Sequence, residues 1–533
     1  MRYSGPLRGF ASFSSLTLIS RLTGLVRDVA MAAAFGASAY SDAFVIAFRI
    51  PNALRRLFAD GALSAAFIPA LVREGGSGRR ALADFVSRMI GTLSVVTLAV
   101  AVSGMLLAPV LSMLSAPGMV ADPARRALLG NLLRITFFFL PCVSLAALAG
   151  AVLMSQGRFG RWALAPALLN LSMAAAAWWG APRMAEPIMA MGWAVLAGGV
   201  LQAVWLCMGV RRLGLLAWPR WGVADPRMRG VFKAMLPMLA GSSVAQVSLL
   251  VSSALASMLR AGSQTWLFQA DRFLELPLAL LGTSMGMVLL PTLAREFAEG
   301  GRRAADTLVW ALGSVMWVTV PATAGLVVLA EPLMVTFFQY GRYGVEDARM
   351  AALALVAMTM GLPALAAIKV MLPAYHARGD LATPVRISCV SLVANGICSV
   401  GLLAVAATLG PDTGSGGMDW AGRLSARPGL HALLALVGAA ANALNAALLW
   451  RGLRRRGLLP RAGMRREHLR LALASLCMVL VLIPLRDGVD LGAMAAWRRA
   501  LVLAGLVGIG LLAFACTWTL MGGRLDGLRR SGP

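Results

Sequence analysis

The 533-residue sequence has little charge and few of the side chains that catalytic and metal sites use. Only 14% of its residues are charged, against about a quarter in soluble domains. It has three histidines, none in a clustered motif, and its six cysteines lie in apolar runs without the paired spacing of zinc ligands. A GxxxxGKS or GxxxxGKT phosphate-binding loop is absent, so ATP hydrolysis is not the expected energy source. No cofactor and no metal site are predicted.

Hydrophobic residues make up 59% of the chain, and its mean hydropathy is +0.76. Apolar runs of about 20 residues, each long enough to cross a bilayer as a helix, recur along almost the whole length. The sequence therefore predicts an all-α polytopic membrane protein with about 14 transmembrane helices. No segment is long enough for a soluble catalytic domain, and an enzyme is not expected. The predicted spans are 11–36, 41–72, 85–113, 127–155, 162–180, 187–208, 231–259, 265–294, 307–330, 348–376, 383–409, 429–450, 470–485 and 499–521.

The formal net charge of +26 sits in short clusters between the apolar runs, which does not favour nucleic-acid binding. The heaviest clusters, at 211–233 and 451–470, fall on the same side of the membrane as the N-terminus. Because basic loops stay in the cytoplasm, both termini are predicted to be cytoplasmic. Arg21, Arg27 and Asp28 interrupt the first apolar run, so no cleaved signal peptide is expected.

A weak internal repeat divides the chain. "IPALVRE" at 68–74 is similar to "LPTLARE" at 290–296, and "LAPALLNLSM" near Pro166 is similar to "ATPVRISCVS" near Pro384. Similar offsets at two places indicate two six-helix halves in parallel orientation around a central cavity, although apolar sequence also produces such matches by chance. The predicted domains are 1–210, 211–455, and 456–533 with two additional helices and a basic tail.

Ionisable side chains are concentrated in the first two spans: Arg21, Arg27, Asp28, Asp42, Arg49, Arg55, Arg56 and Asp60. An ionisable group within a membrane costs about 2.5–3.5 kcal/mol and normally faces a cavity or a partner. Arg–Asp pairs that only pin the helices are one interpretation. The arginines outnumber the aspartates, however, which favours the binding of an anion.

The eighth span repeats the theme with "ADRFLELP". Glu275 shares a helix face with Asp271 and Arg272, so Arg272 either forms an intrahelical pair or reaches the same cavity. Arginine binds phosphate and carboxylate in a bidentate manner, which indicates an anionic solute or lipid headgroup as ligand. The predicted substrate-binding residues are Arg21, Arg27, Asp28, Asp42, Arg49, Arg55, Arg56, Arg272 and Glu275.

The stretch "SSLTLISRLTGLVRDVAMAAAFGASAYSDAFVIAFRIPNALRRLFADGALSAAFIPAL" resembles the N-terminal signature of the MurJ (MviN) family of bacterial lipid II flippases, a family of the multidrug/oligosaccharidyl-lipid/polysaccharide exporter superfamily. The resemblance continues through "ADRFLELPLALLGTSMGMVLLPTLARE", "FFQYGRYGVEDA" and "YHARGDLATPVRIS". It implies alternating-access transport of lipid II, the undecaprenyl-diphosphate-linked peptidoglycan precursor, from the cytoplasmic to the periplasmic leaflet of the inner membrane. The implied partners are lipid II, membrane lipids and other cell-wall synthesis proteins.

The resemblance also assigns roles to individual residues. The family's essential arginines match Arg21, Arg27, Arg55 and Arg272, and its acidic partners match Asp28 and Asp42. The last two spans are implied to hold the isoprenoid tail. Some members carry a sodium site with carboxylates in the seventh and eleventh spans, and both spans lack them here. Sodium coupling at that site is therefore not expected, and membrane potential or protons stay open as energy sources.

Three alternatives remain at this point. A flippase for another polyprenyl-diphosphate-linked oligosaccharide, or a cation-coupled exporter of the same superfamily, would have a similar architecture, but drug exporters would need an acidic cavity. A lipid-linked glycosyltransferase would need catalytic carboxylates in an outside loop, where only scattered ones occur. A membrane scaffold would not explain the surplus of arginines.

Overall fold

Helix follows helix along the computed structural model, which describes residues 6–56, 64–409, 420–459 and 465–523. Each predicted span coincides with one helix or with two consecutive helices, so the all-α fold is confirmed. Among the described residues, nine helices are long and apolar enough to cross a membrane, and one bent pair adds a tenth. The helices at the positions of the first, second, seventh and eighth predicted spans are not among these ten, and the number fourteen stays a prediction.

The described residues form two compact units. The first extends to Gln264 and includes Tyr340–Tyr343, and the second contains Thr265–Gln339 and the residues from Gly344 onward. The predicted domain limits at 210/211 and 455/456 stay a prediction of the sequence repeat. The helices of the first unit are α1 (Pro6–Phe35), α2 (Ala39–Arg55), α3 (Ser64–Gly76), α4 (Arg79–Leu106), α5 (Ala108–Ser115), α6 (Pro123–Thr136), α7 (Phe139–Ser155), α8 (Phe159–Ala175), α9 (Met189–Arg212) and α10 (Pro226–Ala256).

The next ten helices build the second unit, with the unit boundary falling two residues into the first of them. They are α11 (Ser263–Ala298), α12 (Arg302–Val328), α13 (Ala330–Phe338), α14 (Val345–Thr359), α15 (Leu362–His376), α16 (Ala382–Thr408), α17 (Trp420–Ser425), α18 (Leu430–Arg455), α19 (Arg465–Asp487) and α20 (Ala496–Leu520). The long predicted span 348–376 is a pair of helices, α14 and α15, and the chain bends by 42° between them.

Helix starts in the first unit follow from local capping. Ser38 and Ser41 form a capping box before α2, in which each side chain bonds to the backbone N–H of the other residue. Asp122 caps α6 and Asp225 caps α10, and in both helices proline occupies the first turn, where its missing N–H has no intrahelical partner to lose. The cap of α2 fixes where the chain enters the helix that carries Asp42, Arg49 and Arg55.

Each unit has its own apolar core. In the first unit, α3, α4, α7 and α10 pack around fully buried rings, including Phe67 and Phe85, whose centroids lie 5.6 Å apart. In the second unit, α12, α19 and α20 meet at an aromatic cluster of Trp317, Phe514 and Trp518. Within a membrane this packing stabilises each unit through van der Waals contact, because lipid tails are as apolar as these side chains.

An ion-pair cluster joins α3 and α4 to the start of α10. The Arg227 guanidinium donates to Glu74 and Asp84 at 3.1 Å and to Asp225 at 2.7 Å. The hydrogen bonds from Arg227 hold the pKa of the Asp225 carboxyl below its usual range, although burial opposes this shift. Asp225 therefore remains a charged cap for α10 under ordinary conditions.

The linker 213–225 lies against α4, where Gly91 gives it room. The Arg220 N–H donates to the Ser87 carbonyl at 3.2 Å, and the Gly222 N–H donates to the Thr92 hydroxyl at 3.1 Å. A Cβ atom on Gly91 would lie 2.6 Å from the Arg220 carbonyl carbon and 2.7 Å from its nitrogen. Any side chain at this position must displace linker backbone.

Gly91→Ala is expected to lower the free energy of unfolding by about 1–3 kcal/mol, the usual cost of overpacking. The measurement is thermal unfolding of the purified protein in detergent. Gly130→Ala in α6 is the matched control, because a Cβ there meets no atom within 4 Å. That control should gain stability from the better helix propensity of alanine. Equal unfolding of the two variants would contradict the close packing of the linker on α4.

Candidate functional site

A buried ion pair in α1 is the first polar cluster of the candidate site. Arg27 and Asp28 are only 6% and 4% exposed. Nε and Nη2 of Arg27 donate to Asp28 Oδ1 at 2.9 and 2.6 Å, and Nη1 donates to Asn170 Oδ1 in α8 at 3.1 Å. The guanidinium is thus held inside the first unit by one carboxylate and one neutral amide.

Arg49 of α2 lies in a second cluster of the same unit. Its Nη1 donates to Gln264 Oε1 at 3.2 Å, and the Ser253 hydroxyl donates to the same oxygen at 3.1 Å. The Gln264 amide nitrogen in turn donates to the Ser253 carbonyl. Gln264 and Ser253 are both buried, so the amide oxygen that faces Arg49 is fixed in orientation.

Asp42, near the start of α2, is 3% exposed. Its Oδ2 accepts a hydrogen bond from the backbone N–H of Gly262 at 2.7 Å. Gly262 has a φ of +98°, a conformation that favours glycine, and it ends the turn between α10 and α11. Asp42 therefore anchors this turn to α2, and its role in substrate binding stays a prediction.

The other predicted residues of the first two spans are more accessible. Arg55 is half-buried, and its Nε donates to Asn52 Oδ1 at 2.9 Å within α2. Arg21 and Arg56 are exposed. Asp60 lies outside the described residues. The predicted set therefore contains both buried and accessible arginines.

In the second unit, Arg272 and Glu275 form an intrahelical ion pair in α11. Nη1 of Arg272 lies 3.5 Å from Glu275 Oε2, and both side chains are partly exposed. The guanidinium also stacks over the Phe268 ring, with its carbon 4.6 Å from the ring centroid. A pair three residues apart with this exposure contributes little to stability.

Amide side chains are the feature that the sequence interpretation missed. Arg27, Arg49 and Arg55 each donate to an amide oxygen, of Asn170, Gln264 and Asn52 respectively. An amide orients a guanidinium without adding negative charge beside it. The sequence signal that could have indicated such a partner is an amide side chain within an apolar run, such as Asn170. Within the described ranges, no group of three or more His, Cys, Asp or Glu side chains is arranged to hold a metal ion.

A family model described as "Lipid II flippase MurJ" matches residues 31–489. The probable lipid II flippase MurJ of Vibrio cholerae is 35% identical, and the alignment covers 97% of this chain and 96% of the relative. The lipid II flippase MurJ of Burkholderia cenocepacia is 33% identical, with 96% and 97% covered. The similarity therefore extends over nearly the whole length of both relatives.

Two solved structures share the fold. A lipid II flippase MurJ in an inward closed conformation aligns with a TM-score of 0.75 at 23% identity, and covers 97% of this chain and 99% of its own. An inward-facing multidrug resistance MATE family transporter of the MOP superfamily aligns with a TM-score of 0.60 at 13% identity, over 84% and 98%. At these identities the likeness concerns the arrangement of helices alone.

Proposed function

The chain belongs to the MurJ family of lipid II flippases, and we propose that its arginines hold the diphosphate of lipid II while the protein carries it across the inner membrane. The family match and the nearly full-length relatives support lipid II as the substrate. The succession of apolar helices fits a multi-pass membrane transporter. The likeness to MATE transporters concerns the fold and does not favour drug export.

In the first unit, the proposal rests on the amide oxygens that accept hydrogen bonds from Arg27, Arg49 and Arg55. A planar guanidinium offers two parallel N–H groups to a phosphate, and a neutral amide beside it adds no negative charge that would repel the phosphate. Arg49 and Arg55 are partly exposed and donate to neutral amides. Arg27 is more deeply buried and also pairs with Asp28. A phosphate oxygen would take the place of the Asp28 carboxylate on that guanidinium.

We extend the proposal to Arg272 in the second unit. Its partner Glu275 lies at 3.5 Å, longer than the 2.6 Å between Arg27 and Asp28, and both partners are reached by solvent. Such a pair is weak, so the guanidinium can exchange its carboxylate for a phosphate at low cost. Glu275 would then return to Arg272 after release of the headgroup.

Transport by alternating access requires helices that bend. Pro51 lies within α2, Pro277 and Pro291 lie within α11, and α14 and α15 meet at a break. Proline removes one helical hydrogen bond and creates a point of flexure, which supports these helices as moving parts. We propose cytoplasmic termini and transport from the cytoplasmic to the periplasmic leaflet, with other cell-wall synthesis proteins as partners.

The experiment that tests the function is depletion of this protein followed by a leaflet assay for lipid II. Depletion should lower the lipid II accessible at the periplasmic face and raise the pool at the cytoplasmic face, because precursor synthesis continues without transport. Restored expression should reverse both changes. Unchanged periplasmic exposure, in a strain with no second flippase, would reject lipid II transport by this chain.

A further inference from the structure

We propose that Asn170 is a positioning residue for Arg27: its amide fixes the orientation of the guanidinium that binds the lipid diphosphate and leaves its charge intact. This inference rests on the proposed function and assigns a residue of α8 to it. Asn170 lies 143 positions from Arg27 in sequence, and its Oδ1 accepts from Arg27 Nη1 at 3.1 Å.

The hydrogen bonds settle which way the amide points. The guanidinium has only donors, so the atom that faces it must be the amide oxygen. The amide nitrogen then faces two acceptors on α1, the Ser20 carbonyl at 3.2 Å and the Thr23 hydroxyl oxygen at 3.3 Å. Thr23 donates its own proton to the Ser20 carbonyl at 2.8 Å, which leaves its oxygen to accept from Asn170. A flipped amide would break all of these contacts.

The packing around the amide is equally specific. Asn170 is 8% exposed, and its side chain lies across one face of α1 between Ser20 and Arg27, at helical spacings of three and four. Gly24 is in the middle of that face, where a Cβ atom would lie 3.3 Å from the Asn170 amide nitrogen. The missing side chain at Gly24 thus makes room for the amide. Both ends of the amide are held by α1, so its position is set before substrate arrives.

A neutral partner matters because Arg27 already has one anionic partner. Asp28 accepts from Nε and Nη2, and a second carboxylate at position 170 would add another negative charge beside this guanidinium. That charge would repel a diphosphate, whereas an amide supplies the same acceptor with no net charge. Removal of the amide oxygen would instead free Nη1 from its fixed direction.

The test compares Asn170→Ala with Asn170→Asp in purified protein that binds lipid II in detergent. We expect Asn170→Ala to weaken lipid II binding about tenfold, the effect of one hydrogen bond to a charged group. Asn170→Asp has nearly the same shape and keeps an acceptor for Arg27, yet it should weaken binding more than Asn170→Ala does. Melting temperatures, measured on the same samples, should fall for both variants, because each loses the amide nitrogen that donates to the Ser20 carbonyl and the Thr23 hydroxyl.

Ser172→Ala is the matched control, because Ser172 is a polar residue of the same helix whose hydroxyl donates to Leu168 of that helix at 2.8 Å. It should bind lipid II normally. A merely structural Asn170 predicts that the loss of binding follows the loss of melting temperature in the two variants, and that result would overturn the proposal. Arg27→Ala distinguishes failure of the proposed arginine site from failure of the role of Asn170. Normal binding by Arg27→Ala rejects the proposed arginine site, whereas lost binding there with normal binding by both Asn170 variants rejects the role of Asn170 alone.

Discussion

Arg27→Ala is expected to abolish growth in a bacterium depleted of its own lipid II flippase, while the variant still inserts into the membrane. The substitution removes a guanidinium that is 6% exposed and leaves Asp28 buried without its partner at 2.6 Å. The proposal also gives this guanidinium a contact with the diphosphate; losing one partner of such a charged contact costs about 2–5 kcal/mol, so transport should fall by about a hundredfold or more. Growth on plates and protein abundance in membranes are the two measurements.

The control for Arg27→Ala is Arg134→Ala. Arg134 also donates to an asparagine oxygen, at 3.1 Å from Asn131, but it lies exposed on α6 outside the proposed site. It should support normal growth. Arg272→Ala should also fail to support growth, because the proposal gives Arg272 a role in binding phosphate. Growth of both variants at the normal rate would contradict the arginine site.

Arg27→Lys distinguishes charge from geometry. Lysine keeps the positive charge but lacks the fork that donates to Asp28 through two nitrogens and to Asn170 through a third. We expect growth intermediate between that of Arg27→Ala and the unchanged protein. Full growth of Arg27→Lys would mean that charge alone is sufficient at this position.

The helical fold was predictable because a membrane leaves few choices. Backbone polar groups within lipid must be satisfied inside the segment, so a long apolar run becomes a helix whatever its neighbours are. The breaks within these runs were not predictable. The span predicted at 127–155 divides into α6 and α7 around residues 137–138, where the sequence remains apolar. Hydropathy reports composition, and composition does not change at a break in the backbone.

The charged side chains of the candidate site could be read from the sequence, but their partners could not. Arg27 and Asp28 stand out within an apolar run and are neighbours in the chain. Asn170 contacts Arg27 because α8 packs against α1, and this tertiary packing cannot be read from the sequence. From the sequence, only the numbers of arginines and aspartates could be compared. The structure adds neutral amides beside Arg27, Arg49 and Arg55.

The hydrogen-bond partner of Asp42 could not be predicted from the sequence at all. A buried aspartate beside arginines suggests an ion pair or a substrate contact. Its Oδ2 accepts from the backbone N–H of Gly262, a donor that every residue except proline possesses and that no pattern reveals. The glycine itself is informative, because its φ of +98° explains why the turn needs that residue.

Asp42→Ala is accordingly expected to lower the free energy of unfolding by about 2–3 kcal/mol, because it leaves the buried Gly262 N–H without an acceptor. Asp42→Asn keeps an oxygen at the same place, so most of the stability should return. Thermal unfolding in detergent measures both effects. Asp122→Ala is the control: Asp122 also accepts from backbone N–H groups, of Ala124 and Arg125, but at an accessible helix start where water can replace it. Its loss should be smaller, about 1 kcal/mol.

The same pair of variants decides whether Asp42 also has a role in transport. If the carboxylate only anchors the turn between α10 and α11, transport by Asp42→Asn should follow its stability and remain close to normal. If its negative charge acts on the substrate-binding arginines, Asp42→Asn should fold normally and still transport poorly, because the substitution removes charge and keeps shape. Equal stability of Asp42→Ala and the unchanged protein would contradict the anchoring contact itself. The Gly262 N–H donates to Asp42 Oδ2 at 2.7 Å and both residues are buried, so after Asp42→Ala no water replaces the lost acceptor and stability falls.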